Sequence, residues 1–400
     1  MKTLNIATFI AFILTYGAYV VFQYLSGDIL EGDFAAQENS YQMFLYILVF
    51  LVLSVGVLIN LTNIKGQDRI LYLVMMYIAY YVISTVLFAK YFDIKYIGTG
   101  VIMSTVSQLA FVFFYFLSNK NYVTLKMCII GFALVLGISI ASMAKLHVHI
   151  YSYSNNVVIT YFYILFLIMP WMLCLKNDII IFFMVLSFGL ITSYSGKRGA
   201  FLSLFGAISA YYFIKGYIKS KNILRLLSYS LIILPTVLIL MYFYIDFSYI
   251  IERMSMISED RGSGRLDIYM YAWESIKNSS IMQILFGKGG YYGFEEITKT
   301  IGIYGAHNDY IESLINIGIF GLLIVLSIVY RLLKNALYLC KISSPLAPSF
   351  ASSIILLILL SNISKIFVGA FVTISIWAYW GYIIGYINRI KENENPLIKY

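Results

Sequence analysis

The sequence predicts an all-α polytopic membrane protein, with about 12 transmembrane helices and one large loop on its outer face. Three observations predict it. Hydrophobic residues make up 61% of the 400-residue chain and charged residues only 12%, roughly half the 25% of soluble domains. No aqueous fold buries that much apolar surface, so the solvent is lipid. Apolar runs of membrane-crossing length recur from end to end, and the charged residues between them are sorted by side.

The spans fall at about 4–25, 41–62, 70–89, 96–117, 124–144, 157–175, 179–194, 200–215, 223–245, 310–333, 347–363 and 367–388. Each reaches or approaches the ~20 residues that a helix needs to cross, the seventh and eighth being the shortest. Lys2 followed by an apolar run resembles a secretory signal. No small-residue cleavage site follows and further spans do, so the first run reads as an uncleaved helix.

Orientation follows from Lys and Arg. With both termini in the cytoplasm, 16 of the 28 basic residues lie inside, against four of the 19 acidic ones, Asp68, Asp178, Glu392 and Glu394. The formal charge of +9 is therefore a topology signal, and no nucleic-acid partner is expected. Many of the 37 Tyr and 29 Phe can anchor at the membrane interface. Cys128, Cys174 and Cys340 lie in or beside apolar runs, which argues against a disulfide framework, and no zinc spacing exists.

Three parts result: an N-terminal membrane bundle of about nine helices over 1–245, the large loop over 246–309 with short amphipathic helices, and a C-terminal bundle of about three helices over 310–400. A long segment on one face of a bundle is usually functional. No internal repeat is visible, which weighs against transporters built from inverted repeats.

With so few charges in the chain, the polar clusters predicted on the outer face are informative. The first is Ser195-Gly196-Lys197-Arg198-Gly199-Ala200, a tight hairpin between spans seven and eight. Its small residues allow close backbone approach, and a helix starting there favours an anion. Read blandly, it is a turn with two snorkelling cations. The second is Arg261-Gly262-Ser263-Gly264-Arg265, leading into a predicted helix over 265–277. Leu266, Tyr269, Met270 and Trp273 recur on one face of that helix and would rest on the bundle or on lipid headgroups. Arg265 in its first turn is poorly placed against the helix dipole, so an anionic partner would explain it. The third is Gly305-Ala306-His307-Asn308-Asp309-Tyr310, opening span ten. Asn308 is the expected N-cap and Asp309 suits the first turn. His307 then stands at the membrane surface, where an imidazole can accept a proton near neutral pH. Its plainer reading is an incidental interfacial histidine.

Weaker candidates remain. Glu31 and Asp33 have a spacing that could hold a divalent ion, though a solvated acidic loop is the simpler account. Gly287-Lys288-Gly289-Gly290 loosely resembles a phosphate-cradling loop but lacks the strand and the Gly-Lys-Ser/Thr ending of a P-loop.

In order and spacing, three features together resemble the O-antigen polymerase and O-antigen ligase superfamily of bacterial inner-membrane glycosyltransferases. They are Arg-Gly-Ala opening a helix, a long loop with Gly-x-Arg and a later Gly-rich turn, and His-Asn-Asp-Tyr entering a span that runs on as Ile-Gly-Ile-Phe-Gly-Leu-Leu over 317–323. The resemblance covers about 192–335. It implies a GT-C-like fold and an inner-membrane location with the active site on the periplasmic face. It also implies inverting glycosyl transfer without a metal or other cofactor. The implied donor and acceptor are glycans on undecaprenyl pyrophosphate, held in membrane lipid, with a chain-length regulator as a further partner. The family's two arginines and histidine fall on Arg198, Arg265 and His307. Lys197 and Arg261 add cations for the pyrophosphate, and Asn308, Asp309, Tyr310 and Glu312 are supporting positions.

The residue types suit that chemistry. A pyrophosphate leaving group gains negative charge as the glycosidic bond breaks, and without a metal that charge falls to arginines and helix N-termini. Richness in Ile, Tyr, Lys and Asn, as in polysaccharide-cluster proteins with strain-specific substrates, favours a polymerase over a ligase. A flippase for lipid-linked glycans is the competing class. It should show charges or broken helices at mid-membrane, where this sequence shows almost no charge.

Overall fold

The computed structural model describes residues 1–25, 40–61, 68–88, 94–150, 159–175, 177–194, 198–220, 265–290, 308–362, 367 and 373–394. The described elements are all helical: α1 (Lys2–Leu25), α2 (Ser40–Asn60), α3 (Arg69–Phe88), α4 (Ile94–Asn119), α5 (Leu125–Ile150), α6 (Ile159–Met172), α7 (Asp178–Tyr194), α8 (Arg198–Ser220), α9 (Arg265–Lys277), α10 (Ile281–Phe286), α11 (Asp309–Lys341), α12 (Ala347–Ser361) and α13 (Ile374–Glu394). Eleven of the twelve predicted spans thus coincide with a helix. The ninth, 223–245, lies outside the described residues. Among the described residues, four stretches are long and apolar enough to cross a membrane: Lys2–Val21, Arg69–Phe88, Gly100–Asn119 and Asp309–Lys341. Phe44–Asn60, Leu125–Ala141 and Ala347–Ser361 are shorter apolar helices. The chain is a helical membrane protein.

Two compact units divide the chain. The first combines Met1–Leu71, Val106–Met184 and Phe371–Tyr400. Its centre is aromatic. Trp171 stacks on Phe132 at 4.6 Å, meets Tyr379 edge-on at 5.2 Å, and donates its indole N–H to the Ser375 carbonyl at 2.9 Å. Polar side chains join its helices. Asn60 donates to the Asn5 side chain at 2.7 Å, and the Ser107 and Thr373 hydroxyls pair at 2.8 Å. In lipid, where helices gain little from hydrophobicity, such bonds and close packing hold the bundle. All three cysteines are free thiols.

The second unit combines Tyr72–Thr105 with Val185–Ala370. In it α8 packs along α12. Gly206 leaves room for Leu359, and Ser352 donates to the Ala207 carbonyl at 2.7 Å. This unit also contains α3 and α9 to α11, which form the candidate site.

Candidate active site

The site is organised by α11. Its N-terminus is capped as the sequence predicts. The Asn308 side chain accepts from the Tyr310 and Ile311 amides at 3.0 and 3.1 Å. Asn308→Ala is expected to lower stability by about 1 kcal/mol, read as a lower Tm of the solubilised protein, and Asn308→Asp to restore it.

Beyond the cap, Asp309, Glu312, Ser313 and Asn316 recur at helical spacing and are all buried. A polar stripe buried in so apolar a chain requires partners. Asp309 accepts the Phe367 amide at 3.1 Å, and Tyr77 of α3 donates to the Phe367 carbonyl at 3.5 Å. The Ser313 hydroxyl and the Asn316 side-chain oxygen make no hydrogen bond among the described residues.

The stripe ends at a break. Gly318 has φ 68° and ψ −170°, so α11 is two helical segments rather than the straight span the sequence suggests. Hydrogen bonds from outside the helix converge on the carbonyls before the break. Ile315 O accepts the Lys288 amide at 2.8 Å, and Asn316 O accepts the Gly289 amide at 3.2 Å. Ser84 of α3 donates to Asn316 O at 3.3 Å, and Tyr80 to Ile317 O at 3.0 Å. Buried carbonyls require such partners.

The donor turn, Gly287–Gly290, reaches the break through α10. That short helix is fixed by a capping box, in which Ser280 and Gln283 exchange bonds at 3.0 and 3.3 Å. Phe286 at its end lies against Phe88 and Phe320, with centroids at 6.5 and 5.3 Å. Gly287 has φ 88°, and a Cβ on it would strike the Asn316 carbonyl; one on Gly318 would strike the Leu285 carbonyl. Each glycine permits the other's backbone to approach. Gly290 rests against Tyr81 and Thr85 of α3. The Gly-Lys-Gly-Gly sequence, which suggested a weak phosphate cradle, here docks a loop into a broken helix.

The loop helix α9 runs from Arg265 to Lys277, as predicted. Ile268 and Ala272 share a buried cluster with Ile315 of α11, and Tyr269, Ile276 and Ile311 pack around it. Of the predicted stripe, Tyr269 thus packs on the bundle. Met270 and Trp273 are more than half exposed, at 56% and 58%. The smaller Ile268 and Ala272 fit close to another helix, whereas the larger pair stays outward. Of the two surfaces foreseen for Met270 and Trp273, the protein's own bundle is excluded.

Of the sequence-predicted residues, Arg198 opens α8 and Arg265 opens α9. Asn308, Asp309, Tyr310 and Glu312 form the first turn of α11 and its cap. Lys197, Arg261 and His307, like Glu31 and Asp33, lie outside the described residues. The helix that begins at Arg265 packs against the helix that begins two residues after His307.

Residues 180–326 match the O-antigen ligase family model. The matched stretch, somewhat over a third of the chain, holds all three predicted clusters, α9, α10, the Gly turn and the break in α11. It supports an enzyme of the O-antigen ligase and polymerase type, and with it glycosyl transfer by a membrane protein. No protein of curated function matches the chain. The resemblance begins after α3, so Tyr77, Tyr80 and Ser84, which bond within the candidate site, were missed by motif reading. Their signal was available as hydroxyl-bearing residues repeating on one helical face.

Proposed function

We propose that the protein is an O-antigen polymerase of the bacterial inner membrane, GT-C-like in fold and working at the periplasmic face. The packing of the Arg265 helix on the helix that follows His307, within the family-matched stretch, carries this reading. Both donor and acceptor are glycans on undecaprenyl pyrophosphate in the surrounding lipid, and a chain-length regulator sets the product length.

In the reaction, a hydroxyl at the non-reducing end of the acceptor attacks the anomeric carbon of the donor. A carbon–oxygen bond forms there as the bond to pyrophosphate breaks on the opposite face, with inversion. The hydroxyl proton passes to His307, and the electron pair leaves with undecaprenyl pyrophosphate. Arg198 and Arg265, supported by Lys197 and Arg261, neutralise the charge that develops on the phosphates. Asn308 fixes the start of α11 beside His307, while Asp309, Tyr310 and Glu312 support it. Burial of Asp309 and Glu312 suits supporting roles better than contact with bulk solvent.

No metal takes part in this scheme. Turnover in EDTA is expected to equal turnover without it. Dependence on one divalent ion would instead return attention to Glu31 and Asp33.

The family description names a ligase, which favours transfer of the finished glycan to lipid A–core as the second reading. Lipopolysaccharide gels of a deletion strain, with and without the restored gene, separate the two. A polymerase leaves a single-repeat band in place of the ladder. A ligase leaves no O-antigen band and lets long glycan accumulate on undecaprenyl pyrophosphate.

A further inference from the structure

We infer that Lys288 is a positioning residue, which fixes the Arg265 helix against α11 and acts on the reaction through that docking rather than by contact with phosphate. The inference rests on the glycosyl-transfer reading above.

The donors of Lys288 point into the protein. Its ammonium bonds the Ser275 carbonyl at 3.1 Å and the Ser275 hydroxyl at 2.6 Å. Its amide bonds Ile315 O, and the next amide bonds Asn316 O. Ser275 lies in the last turn of α9, where carbonyls lack backbone donors and a cation is favoured by the helix dipole; its carbonyl also accepts the Ser279 hydroxyl at 2.6 Å. One residue thus ties the C-terminal end of α9 to the break in α11. Gly287 and Gly318 permit the close approach, and Gly290 rests on α3.

Arg265 is at the opposite end of the same 13-residue helix, a length of roughly 20 Å. Without that tie, α9 is held by the Ile268–Ala272–Ile315 cluster with Tyr269, Ile276 and Ile311 around it, and by its short link to α10. A tilt of about 3° then moves the far end by about 1 Å, a displacement that can cost roughly 100-fold in rate. Arg265 meets charge that builds in the transition state, so the loss falls on kcat rather than KM.

The test uses the full chain in lipid nanodiscs with Cys128, Cys174 and Cys340 replaced by alanine and Ala272→Cys as reporter. Ala272 is buried on the face of α9 that meets Ile315 of α11, so a thiol there reacts with a water-soluble maleimide only when α9 lifts. Lys288→Ala is expected to raise the labelling rate at least tenfold. With lipid-linked repeat units extracted from the source bacterium, kcat falls about 10- to 100-fold and KM stays within about twofold. Lys288→Arg, which still reaches the Ser275 carbonyl, keeps both values near the parent. If the Ala272→Cys protein does not accumulate, Ile268→Cys, buried in the same cluster, replaces it.

Unchanged labelling in Lys288→Ala overturns the inference. So does raised labelling with unchanged kcat, or a rise in KM at constant kcat, the pattern of a residue that binds substrate phosphate. Full turnover in Arg265→Ala would instead defeat the site assignment. The labelling result is read independently of that outcome.

Discussion

Arg265→Ala is expected to lower turnover by roughly 100- to 1,000-fold, while the amount of protein in the membrane and its Tm stay at the parent values or rise slightly. The two halves of the result have one physical origin. Arg265 is the first residue of α9, where the unpaired amides already carry partial positive charge. A cation there works against the helix, so its removal does not weaken the fold. Under the proposed function its benefit comes from the pyrophosphate, whose charge grows as the glycosidic bond breaks. Arg265→Lys is expected to recover only part of the rate, because an ammonium keeps the charge but loses the planar fork that grips two oxygens. His307→Ala should also abolish turnover with normal membrane levels. Product formed by purified protein from lipid-linked repeat units checks all three. Full activity in both alanine variants would remove the site from where it has been drawn.

Gly318→Val is expected to abolish activity by a different route, through the fold itself. A β-branched residue at φ 68° costs about 1–3 kcal/mol in backbone strain, and its side chain would enter the space of the Leu285 carbonyl and the Gly287 amide. α11 relieves both by straightening. The turn is then expelled, and the bonds from Lys288 and Gly289 to Ile315 and Asn316 are lost. A lower Tm should therefore accompany the lost activity, in contrast to Arg265→Ala. Gly137→Ala is the control. A Cβ at that position in α5 meets open space, and its Tm and activity should match the parent. A Gly318→Val protein with parental Tm would mean that the break contributes little.

The helices were legible because their cause is local. A run of apolar residues in lipid has to satisfy its own backbone, and a helix does so without help from the rest of the chain. For that reason the run beginning near Asp309 and the cap at Asn308 could be read directly, and 265–277 was bounded correctly as α9. The break at Gly318 was not legible. A glycine inside an apolar run reads as a tolerated helical residue, and its φ is decided by a turn more than twenty residues earlier and by hydroxyls on α3. The same holds for Lys288, whose Gly-rich setting suggests phosphate but whose donors are taken by Ser275 and Ile315. Which part of α9 meets the bundle was left open by the sequence because size decides it. The bulkiest apolar residues, Met270 and Trp273, advertise the stripe in sequence, whereas the smaller Ile268 and Ala272 permit contact with α11.

The position of the break along α11 has a consequence for depth. Arg331 and Lys334 are the first charges after Gly318 and are expected to mark where this helix leaves the hydrocarbon on that side. At about 1.5 Å per residue, the segment from Gly318 to Arg331 is roughly 20 Å long. Against a hydrocarbon thickness of about 30 Å, a segment of that length falls short of a full crossing, and the Gly287–Gly290 turn docks at its end. Irregular backbone is tolerated at such depth only when enclosed by protein, and Ser84, Tyr80 and the turn's own amides meet that condition. Under the proposed function, a lipid-borne substrate would meet this assembly beneath the headgroups, without its phosphates being lifted into open water.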